Sequence, residues 1–194
     1  MGLEERVYSV MIVSAAGNFN SSLQPLLPDC RFSPVRFESS VSAARRTLLE
    51  QSFDMVVINS PLPDDPGIRF AVDICSTKTG VALLMVRADQ YDEIYGKVAG
   101  HGVYVLSRPT SRTVVAQAVD WMVATRERLK KLEKKTVSIE EKMQEIRLVN
   151  RAKWLLIDHR KMTEADAHRY IEKKAMDCCA SRREVAEEII RLYT

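Results

Sequence analysis

The stretch FDMVVINSPLPDDPGI, residues 53–68, sets the architecture of the front of the chain. Residues 53–58 form a near-continuous apolar run, the pattern of a strand covered on both faces in a parallel sheet rather than one alternating between core and solvent. Asn59 ends the run, and Pro61, Pro63, Pro66 and Gly67 mark a loop. Residues 68–76 resume at helical spacing. The same alternation repeats on either side. Upstream, residues 7–13 read as a strand, 19–27 as a weak helix interrupted by Pro25, 31–37 as a short strand, and 42–51 as a helix with Ala43, Ala44, Leu48 and Leu49 at helical spacing. Downstream, residues 81–86 are a fourth buried strand, and residues 91–99, 103–106 and 111–122 supply helix, strand and helix. Five strands and five helices over residues 1–122 predict a doubly wound, flavodoxin-like (βα)5 domain.

The composition changes behind Pro109, after which neither Pro nor Gly occurs. Leu129, Leu132, Thr136, Ile139, Met143, Ile146 and Asn150 follow alternating steps of three and four, the a/d seam of a coiled coil, with polar Thr136 and Asn150 setting register. Residues 123–145 are therefore expected to be a linker helix that pairs two chains, with packing of the stripe on the chain's own domains as the alternative. Two further helices follow in residues 146–194: Thr163 caps one, and Ser181 with Glu184 forms a capping box for the other. Ala152, Leu155, Leu156, Ala167, Tyr170, Ile171, Val185 and Ile189 are expected inward, closing a three-helix core, and Trp154 is read as core with them.

The 194 residues hold 29 Lys plus Arg against 26 Asp plus Glu, with 46% apolar residues. No apolar run approaches the roughly 20 residues of a membrane-spanning helix, so no membrane association is expected. The opening MGLEER, residues 1–6, has no basic leader pattern, which makes the cytoplasm the expected compartment. Cys30, Cys75, Cys178 and Cys179 lack the spacing of a zinc site or disulfide framework, and His101, His159 and His168 add none, so mostly structural thiols and no metal are expected. The net charge of +3 is uneven: residues 124–194 carry 18 Lys plus Arg against 13 Asp plus Glu, leaving 11 against 13 in front. That asymmetry points to an anionic partner for the tail.

The order of elements, residues 53–68 and the Arg108-Pro109 pair after the fifth strand together resemble the receiver domain of two-component response regulators over residues 6–122. The resemblance implies that the phospho-accepting Asp position is held by Asn59. A carboxamide has neither the charge nor the nucleophilicity to accept a phosphoryl group. The family's two magnesium-binding acids after the first strand are matched by Val13-Ser14-Ala15, which offers no carboxylate to a divalent cation. The fourth-strand hydroxyl position falls near Arg87, and Arg108 replaces the family's lysine. Ser14, Ala15, Arg87 and Arg108 thus line a degenerate pocket, for which no phosphorylation, metal or cofactor is expected. Arg87 and Arg108 are read as solvated or ion-paired, with a small-anion pocket as the alternative, and Asp64 and Asp65 as solvated turn residues.

The tail IRLVNRAKWLLIDHRKMTEADAHRYIEKKAMDCCASRREVAEEII, residues 146–190, resembles the ANTAR domain, the RNA-binding part of bacterial antitermination regulators. The carrying parts are Arg151-Ala152-Lys153 with Leu156, Thr163-Glu164 with Ala167 and Tyr170-Ile171, Ala175-Met176, and Val185-Ala186. Trp154 and Ile157 depart from the family's usual Gly and Met. The resemblance implies a non-enzymatic regulator that binds hairpins in nascent leader RNA as a homodimer, with an upstream signalling protein on the receiver as a further partner. Arg147, Arg151, Lys153, Lys161, His168, Arg169, Lys173, Arg182 and Arg183 are the candidate RNA contacts, as phosphate partners or guanidinium stackers, and stacking on a base is the alternative to the core reading of Trp154. The rival reading is a protein-interaction or assembly module without nucleic acid. A DNA-binding regulator ranks third, because the tail lacks a glycine-type turn between two short helices.

Overall fold

The structure, a computed structural model, describes residues 6–77 and 80–193, so residues 1–5 of the opening stretch lie outside it. It divides into two compact units, Met1–Leu132 and Glu133–Thr194. No described helix is long and apolar enough to cross a membrane.

The first unit runs β1 (Tyr8–Val13), α1 (Gly17–Leu23), β2 (Phe32–Glu38), α2 (Val41–Glu50), β3 (Met55–Asn59), α3 (Ile68–Ser76), β4 (Val81–Arg87), α4 (Tyr91–Val98), β5 (Tyr104–Arg108) and the start of α5 (Arg112–Arg160). Every strand pair is parallel, in the order β2-β1-β3-β4-β5. This is the flavodoxin-like order read from the sequence, with the crevice of the topological switch at the carboxyl ends of β1 and β3. Met11, Val13, Val56 and Ile58 pack with residues of α2, α3 and α4, whereas Val10, Ile12, Met55 and Val57 pack with Leu23 of α1 and Val115 and Met122 of α5. Two covered faces explain why strand residues 55–58 carry no polar side chain.

Local chemistry sets the element ends. Pro25 has no N–H to continue α1, which passes into a 3-10 turn at Gln24–Leu26. Gly67 precedes α3 at φ 77°, where a Cβ would come within 2.8 Å of Ile58. Ser40 caps α2 by accepting from the Ala43 amide at 3.1 Å. Asp64, expected to be a solvated turn residue, is exposed and also accepts from the Val41 and Ser42 amides at 3.0 and 2.9 Å, supplying two donors at the same helix end with a partner. Asp65 likewise accepts from the Gly67 amide at 2.6 Å. Leu49, placed on the inner face of α2 by its spacing, is 88% exposed. The buried face runs through Val41 and Ala44 to Leu48, and one residue further turns the side chain about 100° away.

The first unit extends past Met122 because the next turns of α5 are tied to the amino end of the sheet. Arg126 donates through Nε to Asp54 at 2.7 Å, Lys130 reaches the same carboxylate at 3.3 Å, and Tyr8 donates to Glu127 at 3.0 Å. Asp54 also accepts from the Ser9 amide and hydroxyl at 3.1 and 3.2 Å. Burial alone would raise the Asp54 carboxyl, but the Arg126 hydrogen bond, the Ser9 amide and the Lys130 charge together hold it below the ordinary aspartate value.

The second unit comprises the rest of α5, α6 (Glu164–Asp177) and α7 (Arg182–Tyr193). Ala152 and Leu156 meet Ala167, Ile171 and Ala175 of α6 and Val185, Ala186 and Ile189 of α7. Full burial of aliphatic side chains such as Leu156 and Ile171 contributes about 1.5–3 kcal/mol each. The caps form as expected: Thr163 accepts from the Asp166 amide at 3.2 Å, and Ser181 and Glu184 exchange bonds at 2.7 and 3.2 Å. Without glycine, α5 and α6 end on left-handed Lys161 (φ 53°) and Cys179 (φ 49°). After α6, Cys179 and Ala180 donate to the carbonyls of Met176 and Ala175, a Schellman closure. Leu155 and Tyr170 are only half-buried, and Trp154 is 71% exposed, which corrects its assignment to the core. The structural role expected for the thiols fits only Cys75, which α3 packs against the core, because Cys30, Cys178 and Cys179 are exposed.

Candidate functional site

Two places gather the residues singled out by sequence. The first is the carboxyl end of the sheet, where β1 delivers Ser14 and β3 delivers Asn59, 3% and 4% exposed. Asn59 donates through Nδ2 to the Ser14 hydroxyl at 3.0 Å, and the same hydroxyl accepts from the Ala16 amide at 3.1 Å. The Asn59 carbonyl Oδ1 is buried without a hydrogen-bond partner among the described residues. Ala15 is exposed and brings no polar atom of its own side chain. The set is neutral, and among the described residues no cluster of His, Cys, Asp or Glu is arranged to hold a metal ion.

The two arginines of this pocket do not converge on Asn59. Arg87 is exposed and grips Asp89 with two contacts of 3.1 and 2.8 Å. Arg108 donates to the backbone carbonyl of Ser60, one residue past Asn59. Burial, followed by the like charge of Arg87, pushes the Arg108 guanidinium below its ordinary value. Of the two readings of these arginines, ion pairing describes Arg87, while Arg108 is held by backbone.

The second place is the surface of the second unit. Arg147, Arg151, Lys161, His168, Arg169, Lys173, Arg182 and Arg183 are all exposed, as the inward turn of the apolar set requires. Their electrostatic surroundings differ. Arg169 pairs with Asp166 at 3.2 Å, Arg182 with Glu145 at 3.1 Å, Arg183 with Glu187 at 3.0 Å, His168 with Glu172 at 3.3 Å, and Lys161 with Asp158 at 3.9 Å. Lys153 has only 16% of its side chain exposed and lies 3.1 Å from Glu164. Arg147, Arg151 and Lys173 have no carboxylate within ion-pair distance among the described residues.

Arg147, Arg151 and Trp154 stand at positions i, i+4 and i+7 of α5 and so share one face. That face lies beside the apolar seam of Ile139, Met143 and Ile146 and away from the buried side of Ala152 and Leu156. Two open guanidinium groups followed by an exposed indole are suited to phosphates and a stacked base. The sequence favoured the core for Trp154 over base stacking because its flanks, Lys153 and Leu155-Leu156-Ile157, look like a core run. The seam itself is 49–59% exposed at Leu132, Ile139, Met143 and Ile146, and Thr136 is exposed with it. Leu129, the first position expected in the seam, packs against the core of the first unit.

Residues 138–190 match the ANTAR domain family. The chain is 27% identical over 137 residues, 71% of its length and 67% of the relative's, to the transcriptional regulatory protein PdtaR of Mycobacterium tuberculosis, in both strain CDC 1551 and strain H37Rv. Among solved structures it is similar to the signal receiver domain of an HD domain-containing protein from Pseudomonas fluorescens Pf-5, with a TM-score of 0.57 and 19% identity over 68% of this chain and 96% of that one. It is also similar to a two-component transcriptional regulator AraC from Clostridium phytofermentans, with a TM-score of 0.55 and 12% identity over 63% of this chain and 98% of that one. A five-stranded parallel unit of receiver fold is thus followed by helices whose residues 138–190 match the ANTAR domain family.

Proposed function

We propose that the chain is a transcription regulator whose second unit binds hairpins of structured RNA, that it acts as a homodimer, and that its first unit accepts no phosphoryl group. The open stripe of Arg147, Arg151 and Trp154 inside the ANTAR-matched residues carries this reading. Phosphates supply affinity through the two guanidinium groups, and the indole offers a platform for a base splayed from a loop. The half-exposed seam gives two α5 helices an apolar strip to share, and pairing raises the effective concentration of the second RNA module. A neutral carboxamide at Asn59, whose side chain bonds only to Ser14 among the described residues, supports a receiver without phosphoryl chemistry.

Binding of the full chain to hairpin RNA, followed by fluorescence anisotropy across a salt series, tests the reading. Affinity should fall by a log–log slope of about 0.7 per phosphate contacted. Arg147→Ala with Arg151→Ala should weaken binding at least about tenfold and flatten the slope by about 1.4. Equal affinity for unstructured RNA, or an unchanged double variant, would overturn it, and absence of any RNA binding would leave the protein-assembly reading standing. Ile139→Asp with Ile146→Asp should convert the dimer to a monomer by sedimentation with the fold intact. Radiolabel from acetyl phosphate, mapped by digestion, should not appear between residues 53 and 68.

A further inference from the structure

A second feature of the first unit is unconnected with RNA. Because Pro25 ends α1 early, a cavity of about 430 Å³ opens between α1 with its 3-10 turn, the end of β5 and the first turn of α5. That volume falls within the range of small-molecule sites. Met85 and Val115, both buried, line it, and half-buried Phe19 and Leu26 add further apolar wall. No Asp or Glu lines it, yet two arginines do. Arg108 is anchored by the Ser60 carbonyl, and its Nε is buried without a hydrogen-bond partner among the described residues. Arg112 is exposed and has no carboxylate within ion-pair distance among the described residues.

We propose that this cavity binds a small organic carboxylate with an aromatic or branched aliphatic body, the carboxylate meeting Arg108 and Arg112 and the body covering Phe19, Leu26 and Met85. Charge and shape select that class together. A bare inorganic anion would leave the apolar wall facing water, and a neutral apolar molecule would desolvate two cations without compensation. Guanidinium groups favour planar carboxylates because paired N–H donors match the two oxygens. Such a ligand would touch the first turn of α5, the helix that carries the dimer seam and the RNA stripe further along its length.

Isothermal titration of the full chain, without RNA, tests the site with indole-3-acetate and phenylacetate, their neutral amides, and inorganic phosphate as probes. Both carboxylates should bind and raise the melting temperature, the amides should bind about tenfold more weakly or not at all, and phosphate should not compete. Arg112→Gln should weaken carboxylate binding about tenfold at unchanged melting temperature. Ser22→Trp, on the exposed side of α1 where it fills the cavity mouth, should abolish binding with the circular dichroism spectrum retained. Equal binding of acid and amide, full affinity in Arg112→Gln, competition by phosphate, or no heat from either carboxylate at millimolar concentration would each overturn the proposal.

Discussion

Arg126 and Arg151 belong to the same helix and use the same side chain in opposite ways. Arg126, 7% exposed, is committed to Asp54 at 2.7 Å within a cluster completed by Ser9 and Lys130. Arg151 is exposed and has no carboxylate within ion-pair distance among the described residues. A buried pair contributes little beyond an apolar replacement, yet losing one partner is costly because the other charge stays desolvated. An open cation adds almost nothing to folding and remains available to a phosphate. The amino end of the sheet thus uses charge for architecture, whereas the α5 face of the second unit leaves it open.

The contrast breaks if the two sites respond alike to mutation. Asp54→Ala removes the carboxylate from buried Arg126 and should cost about 3 kcal/mol, a fall of roughly 10 °C in melting temperature, while Arg151→Ala should stay within about 0.5 kcal/mol. Thermal and urea unfolding of both variants make the comparison, and similar losses would remove the distinction. Next in size, Trp154→Ala should weaken hairpin RNA binding by about 1–2 kcal/mol without changing the salt slope, because stacking releases no counterions. A changed slope in the anisotropy series would assign Trp154 to phosphate positioning instead.

Acid sharpens the same comparison. The Asp54 carboxyl lies below its ordinary value in the folded chain, so its stabilisation is fully present above the unfolded value of about 3.9 and disappears as pH falls through the folded one. Stability of the native chain should therefore drop more steeply than that of Asp54→Asn as pH falls below about 4 in urea titrations, and parallel curves would contradict the assignment. The smallest effect belongs to the end of α6. Cys179→Gly relieves a left-handed non-glycine residue at some cost in chain entropy, and should raise stability by about 0.5 kcal/mol in the same urea assay.

Much of the fold was legible because its signals are local and repeated. Residues 53–58 announced a doubly covered strand, Pro25 announced a broken α1, and Thr163 and Ser181 announced two helix starts, since each depends on neighbours within a turn. Side chains whose environment comes from distant residues were misread or read only in part. Asp64 became a cap because α2 lies beside the loop after β3, and Leu129 left the seam because the first unit's core reaches it. Of the RNA candidates, the sequence picked out basic residues on exposed faces but did not distinguish the paired Lys153 from the open Arg151, because Glu164 lies 11 positions further along the chain.

The sequence by itself determined the parallel α/β front, the uninterrupted helical back and the neutral Asn59 at the end of the third strand, because hydrophobic period, turn residues and residue identity are written locally. The tertiary structure alone decided which charges are spent and which are open, that Trp154 faces outward beside Arg147 and Arg151, and that a cavity with two cations and no acid lies beneath α1. Electrostatic environment and enclosed volume belong to groups brought together from separate segments, and no local pattern carries them.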